Sequence, residues 1–271
     1  MQGTVNGFSY GLVTPVVAFL MACLGGALGL RCTAPALRKD APWRPAVLAL
    51  GTIAIGCGVW TMHFVAMTGF SVDQVGIRYD APTVFASLGA GMVMIGAGLF
   101  VVGHRGATRM ALATGGTLTG LGMASMHYLG MAGMRLQGRI EYSTVTVVAS
   151  VAVAVAAAVA ALYATTRHRG VLAHLAAVAC LGGAATGMHY LAMAGSHVRL
   201  ADPAAGSGAG DGTDLGPLLP MLAGPVAFLV LAGLVMVFEP QLLAGAAAPD
   251  RTTAPQASLA RTRGPVRGGG G

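Results

Sequence analysis

The sequence predicts an all-α polytopic membrane protein with seven transmembrane helices. Hydrophobic residues make up 55% of the 271 residues and charged residues only 9%, and the mean hydropathy is +0.72. Because about a quarter of the residues of a soluble domain are charged, this chain has too few charges to cover a water-facing surface. An ordinary soluble enzyme and a disordered protein are therefore excluded, and the lipid bilayer is the expected surrounding.

Seven apolar segments are long enough to cross a membrane, which takes about 20 residues. The predicted helices lie at 10–30, 46–67, 82–103, 110–133, 144–165, 171–194 and 218–238. The fifth segment is rich in valine, but its length predicts a helix because a lone strand cannot satisfy its backbone in lipid. The first segment has no basic residue before it, unlike a signal peptide, and is expected to be the first helix of the bundle.

The basic residues predict the direction of these helices, because cytoplasmic loops are enriched in Lys and Arg. With the N-terminus outside and the C-terminus inside, the only basic residues on the outer side are Arg78, Arg135, Arg139 and Arg199. The net charge of +7 therefore reflects topology and gives no evidence for nucleic-acid binding. This orientation makes residues 1–9 a short outer N-terminus, 10–238 the membrane domain and 239–271 a disordered cytoplasmic tail.

A seven-residue motif occurs three times and reads small, Met, His, aromatic, aliphatic, small, Met. Its copies lie at 61–67, 125–131 and 187–193, on the second, fourth and sixth predicted helices. Their histidines, His63, His127 and His189, each lie about 26 Å from the inner end of the predicted helix at 1.5 Å per residue. We therefore expect three parallel helix-pair repeats around an axis along the membrane normal, with the seventh helix as an extra element.

The residue types of the motif favour a metal site near the outer face. The histidine and the second methionine share a helix face at i and i+4, whereas the first methionine, at i−1, points about 100° away. Imidazole and thioether groups suit copper, and the lack of a charged ligand favours a monovalent ion. A lone histidine here would more readily be structural, but three copies at one depth predict a site. Small residues beside the motifs allow close helix approach: Gly56, Gly58, Gly120, Gly122, Gly182 and Gly183.

The triple motif on alternate helices resembles the MHYT domain, a bacterial integral-membrane sensor domain, over about residues 5–240. The resemblance implies sensing of a diatomic gas such as oxygen, carbon monoxide or nitric oxide through motif-bound copper. Phe64 stands where the motif has tyrosine, so the first copy has no aromatic oxygen ligand. The metal ligands that the resemblance implies are Met62, His63, Met67, Met126, His127, Met131, Met188, His189 and Met193.

Members of that family often carry a cytoplasmic output domain. Here about 30 residues follow the seventh helix, and the sequence has no Walker loop, catalytic triad, carboxylate pair or helical zinc-protease motif. We therefore expect no enzyme activity and signalling through a separate cytoplasmic partner protein. The expected location is the cytoplasmic (inner) membrane, with the motifs near the extracytoplasmic face.

Two other functions stay open on the sequence alone. The protein could be a copper permease or copper-handling protein, although a permeation path predicts ligands at several depths. Candidate ligands deeper than the motifs include Cys57, Cys180 and Met94. A haem-bearing membrane oxidoreductase could use two of the three histidines as axial ligands.

Overall fold

The computed structural model describes residues 2–3, 5–6, 11–37, 44–72, 76–168, 170–200, 216 and 218–238. Seven helices are present: α1 Val13–Thr33, α2 Pro45–Thr68, α3 Ala81–Arg105, α4 Arg109–Ala132, α5 Thr144–Arg167, α6 Val171–Ala194 and α7 Leu218–Phe238. Each predicted segment is confirmed to within three residues at both ends. The predicted disordered tail, 239–271, lies outside the described residues, as does most of the predicted outer N-terminus.

Six of these helices are long and apolar enough to cross a membrane. The helix that falls short is α4, whose sequence holds glycine, threonine and serine at many positions. Its buried positions explain this composition, because small residues allow the neighbouring helices to approach. A multi-pass membrane protein is therefore supported, while the seventh span and the N-out orientation stay predictions.

The first six helices form a closed ring of three hairpins. Helices α1 and α2, α3 and α4, and α5 and α6 pack as pairs, and neighbouring pairs meet through α2–α3, α4–α5 and α1–α6. The three even-numbered helices also contact one another, so they form the inside of the ring. Helix α7 packs outside it against α1 and α2, where Leu229 is buried with Leu28, Ala54 and Cys57. The predicted three helix-pair repeats with an extra seventh helix are thus confirmed.

Short strands close each hairpin at the end where the even helix stops, a feature that the all-α prediction missed. The strands are β1 Gln2–Gly3, β2 Val5–Asn6, β3 Ser71–Val72, β4 Arg78–Tyr79, β5 Met134–Arg135, β6 Gly138–Tyr142 and β7 Ser196–Leu200. Strand β2 pairs with β3, β4 with β5, and β6 with β7, all antiparallel, and β1 adds to β7. Each repeat is therefore a β-α-α-β unit, in which the strand before the odd helix pairs with the strand after the even helix.

Local sequence explains where the helices of a repeat begin and end. A glycine directly follows each even helix and packs against the first turn of the odd helix in the same repeat. These glycines are Gly69, Gly133 and Gly195. At the start of α3, Asp80 accepts hydrogen bonds from the hydroxyl and the backbone N–H of Thr83, as an N-cap residue does. Both bonds hold the pKa of Asp80 below its ordinary value, and the bond from the Thr83 hydroxyl has the larger effect.

Close packing of the hairpins depends on the glycines that the sequence singled out. Five of those six have a neighbouring atom within 3.0 Å of the place where a Cβ would stand. A Cβ on Gly58, for example, would lie 2.6 Å from the Cα atom of Gly25 in α1. The exception is Gly183, which is exposed and would meet nothing within 4 Å. Position on the helix, and not glycine content alone, therefore decides which glycine is needed.

Gly58→Ala is expected to lower the unfolding temperature, because the backbones of α1 and α2 must move apart at a cost of about 1–3 kcal/mol. The matched control is Gly183→Ala, which adds the same methyl group to an open helix surface and should unfold like the parent. Circular dichroism of the purified full chain in detergent measures both. Equal unfolding temperatures for the two variants would contradict this account of the packing.

Candidate metal centre

The three motif histidines meet on the inner face of the ring. His63, His127 and His189 are each the nineteenth residue of a 24-residue helix, so equal register places them at one depth. The Nδ1 atoms form a nearly equilateral triangle: His63 and His189 are 3.1 Å apart, and both other pairs are 3.2 Å apart. All three side chains are at most 2% exposed. The three copies of the motif therefore build one site.

Hydrogen bonds among neutral histidines cannot satisfy this triangle. A nitrogen of a neutral imidazole either carries a proton and donates or has a lone pair and accepts. Three Nδ1 atoms share these two roles, so at least one of the three contacts sets two donors or two acceptors against each other. The Nε2 atoms of His63 and His127 are also buried without a hydrogen-bond partner. A mismatched buried contact costs free energy, and a cation held by three Nδ1 lone pairs would remove the conflict.

The triangle also has the dimensions of a small metal site. The centre of an equilateral triangle with these sides lies about 1.8 Å from each corner, close to the roughly 2.0–2.1 Å of a zinc–imidazole bond. Imidazole is a ligand that copper and neighbouring transition metals accept. Within the described part of the chain, no other three histidine, cysteine or acidic side chains converge in this way. The residues present therefore fit a metal ion.

The aromatic residue of each motif packs edge-on beside its own histidine, with ring centroids 4.6–5.0 Å apart. The hydroxyl of Tyr128 lies 2.7 Å from that of Ser150 in α5 and so joins two hairpins. Ser87 is the seventh residue of α3, as Ser150 is of α5. Phe64, the counterpart of Tyr128 in the first motif copy, has no hydroxyl that could bond to Ser87. Instead, Trp60 donates its indole N–H to Ser87 at 3.1 Å. A different residue thus restores the bond between hairpins where the motif departs from tyrosine.

His63 rests against the backbone of α4 at Gly130. A Cβ at this position would lie 2.8 Å from His63 Nε2 and 3.0 Å from its Cδ2 atom. The other motif copies hold Ala66 and Ala192 in this register, so the α2–α4 interface alone requires glycine there. The motif pattern predicts only a small side chain at this position and does not indicate the contact with His63. The one available signal was glycine where the other copies have alanine.

The six motif methionines occupy two register positions. At i−1, Met126 places its terminal methyl against Gly91 of α3 and so faces a neighbouring helix. At i+4, the second methionine shares the helix face of its histidine, and the general direction of helical side chains predicts that it extends toward that histidine. Five are at most 2% exposed, namely Met62, Met67, Met126, Met131 and Met188, and Met193 is half-buried. As metal ligands the methionines stay predictions.

Two of the deeper sulfur-containing residues, Cys57 and Cys180, contact neighbouring helices. Cys180 directs its Sγ atom to the carbonyl of Ala157 in α5 at 3.6 Å. Cys57 packs with Leu229 of α7, on the outside of the ring. These two cysteines therefore do not add to a line of ligands along the axis. Histidine nitrogens 3.1–3.2 Å apart likewise leave no slot for a flat haem between two axial ligands.

Known proteins similar to this chain are bacterial signalling proteins. A family model described as "Bacterial signalling protein N terminal repeat" matches it twice, at residues 56–115 and 120–178. The bifunctional diguanylate cyclase/cyclic di-GMP phosphodiesterase MucR of Pseudomonas aeruginosa is 31% identical over 263 residues, which cover 93% of this chain and 36% of that protein. No solved structure matches the chain.

Two further relatives are also bacterial proteins whose names refer to signalling or cyclic di-GMP. The cyclic di-GMP phosphodiesterase NbdA of P. aeruginosa is 31% identical over 190 residues, covering 66% of this chain and 23% of that protein. The signaling protein YkoW of Bacillus subtilis is 26% identical over 204 residues, covering 72% of this chain and 25% of that protein. This chain thus spans between about a quarter and about a third of the length of these three relatives. The two family-model matches lie within α2 to α6, in the ring.

Proposed function

Because this chain belongs to the MHYT family of bacterial signalling proteins, we propose that it is a membrane sensor that holds a copper ion and responds to a diatomic gas. Oxygen, carbon monoxide and nitric oxide are the candidate gases. The observation that carries the proposal is the triangle of buried Nδ1 atoms, which neutral histidines cannot satisfy by themselves. The absence of a charged ligand favours Cu(I), because a monovalent ion costs less to hold in a buried site.

The residues that would hold the ion are His63, His127 and His189, each through Nδ1. When bound, copper supplies an affinity for diatomic gases that the side chains lack. Helical side chains extend toward the N-terminus, so the methionines at i+4 are expected to extend toward the histidines and are the better thioether candidates. Met126, which packs against Gly91 of α3, contributes to the helix interface instead. The buried surroundings exclude water from the three nitrogens.

The ring gives the proposed signal a physical route. Each histidine belongs to a different hairpin, so the three nitrogens link all three repeats at one level. A gas that binds two arrangements of these hairpins with different affinities would shift the population between them. The proposed output is a change in hairpin packing that a separate cytoplasmic partner protein detects.

Metal analysis of the purified full chain, prepared with copper under reducing conditions, tests the proposal. We expect about one copper per chain in the parent and none in the triple variant His63→Ala, His127→Ala, His189→Ala. The control is His168→Ala, which removes an exposed histidine just after α5 and should leave the copper content unchanged. Copper-free parent protein, or a triple variant that keeps its copper, would overturn the metal site.

The gas response needs a separate measurement. The X-ray absorption edge of the bound copper is expected to change when carbon monoxide, nitric oxide or oxygen is added to the parent protein. An unchanged edge under all three gases would contradict gas sensing, while the copper content measured in the first experiment would still stand.

A further inference from the structure

A cavity of about 280 Å³ lies at the C-terminal end of α4, beside strands β5 and β6. Tyr128 and Met131 of the second motif copy line it, together with Arg135, Arg139 and Tyr142. Its volume is near the lower end of small-molecule pockets, about 300 Å³. No acidic residue lines it. The cavity is thus the size of a small ligand and has positive charge on its walls.

Each of the two arginines that line this cavity stands opposite another arginine in a strand ladder. Arg135 stands directly opposite Arg78 in the β4–β5 ladder, and Arg139 stands directly opposite Arg199 in the β6–β7 ladder. Like charges at opposite positions destabilise an antiparallel pair. These two pairs concentrate four arginines at the same end of the ring, where negative charge would offset the repulsion.

The protein's own carboxylates offset only part of this charge. Asp80 reaches Arg135 at 3.9 Å, and Glu141 lies closer to Arg199, at 2.8 Å, than to Arg139, at 3.5 Å. Both carboxylates lie outside the lining of the cavity. A guanidinium group has five N–H donors, so these single contacts leave donors on Arg135 and Arg139 for a ligand.

Tyr142 adds a neutral donor to the same cavity. Burial and, to a smaller extent, the nearby Tyr128 raise the pKa of Tyr142 to about 12. Its hydroxyl therefore keeps its proton in neutral solution. Its ring packs edge-on against Tyr128 with centroids 5.7 Å apart. The lining therefore combines two guanidinium groups and a phenol, all of which donate hydrogen bonds.

We propose that this cavity binds a small oxyanion of the phosphate type, supplied as a free anion or as the headgroup of an anionic lipid. Arginine recognises such oxyanions through charge-assisted, often bidentate hydrogen bonds. The occupant would lie against Tyr128 and Met131, next to His127, whose ring centroid is 4.8 Å from that of Tyr128. The site is separate from the histidine triangle and does not depend on a bound metal.

Titration of the full chain with inorganic phosphate in a phosphate-free detergent, followed by calorimetry, tests the free anion. Arg135→Gln together with Arg139→Gln should weaken binding by about tenfold or more, because charge-assisted hydrogen bonds are lost. Arg78→Gln is the control, since it removes one charge, opposite Arg135, from outside the cavity lining. Its binding should change less than about threefold, because Arg78 does not line the cavity and acts only as a nearby surface charge. Tyr142→Phe keeps every charge and should weaken binding severalfold.

Native mass spectrometry of the same variants with phosphatidylglycerol, against diacylglycerol as a phosphate-free lipid, tests the headgroup. Phosphatidylglycerol adducts that disappear in the double variant, without phosphate binding in solution, would assign the cavity to a lipid. Phosphate binding without such adducts would assign it to a free anion. No binding of either ligand, or equal weakening in Arg78→Gln and the double variant, would overturn the site. If the double variant fails to fold, Tyr142→Phe decides, and unchanged binding in that variant overturns it.

Discussion

Replacing any one of His63, His127 and His189 by alanine should abolish the stabilisation that we expect from copper binding at the proposed site. A ligand present at a hundred times its dissociation constant raises the free energy of unfolding by about 2.7 kcal/mol. With one imidazole removed, two nitrogens no longer surround the ion. The affinity should fall by more than the roughly 10–100-fold that loss of an outer-shell partner causes.

The metal-free protein should respond differently to the same change. Two neutral histidines can pair as donor and acceptor, whereas three cannot all be matched, so the loss of packing is partly offset by removal of the mismatched contact. Unfolding temperatures measured with and without Cu(I) separate the two effects. We expect a small change without copper and a complete loss of the increase with copper. A single variant that keeps the full copper-dependent increase would contradict the shared site.

A matched pair of methionine variants tests whether a thioether contributes to copper binding at the same site. Met131→Leu and Met126→Leu both keep apolar volume and remove a sulfur atom, a change that cores tolerate well. Met131 shares the face of His127, whereas Met126 packs against Gly91 of α3. We expect weaker copper binding in Met131→Leu only. Equal affinities in the two variants would show that the histidines hold the ion without Met131.

Gly130→Ala is expected to weaken copper binding although it removes no ligand. The added Cβ would stand 2.8 Å from His63 Nε2 and 3.0 Å from Cδ2, so the ring of His63 must tilt away from the triangle. A displaced ligand should lower copper affinity by about tenfold, in the range seen when the support of a metal ligand is lost. Competition with a coloured Cu(I) chelator measures this affinity.

The control for this prediction is Gly187→Ala, on a helix surface two residues before His189. Gly187 is exposed, and a Cβ there would meet nothing within 4 Å. Alanine also has a better helix propensity than glycine by about 1 kcal/mol, so this variant should bind copper like the parent and be at least as stable. If Gly130→Ala binds copper as tightly as Gly187→Ala, the contact with α4 does not position His63.

The helices could be predicted because lipid imposes a simple requirement on the sequence. A crossing takes about 20 apolar residues with every backbone group paired within the helix, so a run such as 144–165 directly indicates α5. Helices α2, α4 and α6 are each 24 residues long. The repeat spacing of the motif therefore carried its histidines to equal depths.

The strands could not be predicted from their own residues. Arg78–Tyr79 and Met134–Arg135 are only two residues long, too short to show the alternation that marks a strand. They pair because the α3–α4 hairpin brings its two ends together. The pairing in turn sets Arg78 opposite Arg135, so the cavity beside β5 and β6 was also beyond sequence reasoning.

The sequence by itself determined the helices, the three repeats and the histidines that make the site, because spacing along a helix converts directly into depth. Only the tertiary structure decided that Nδ1 faces the axis, that Met126 faces α3, and that His63 lies on Gly130. These features depend on helix rotation and side-chain rotamers. One residue of helical rotation is about 100°, and a repeat period does not specify which face of each helix meets its neighbours.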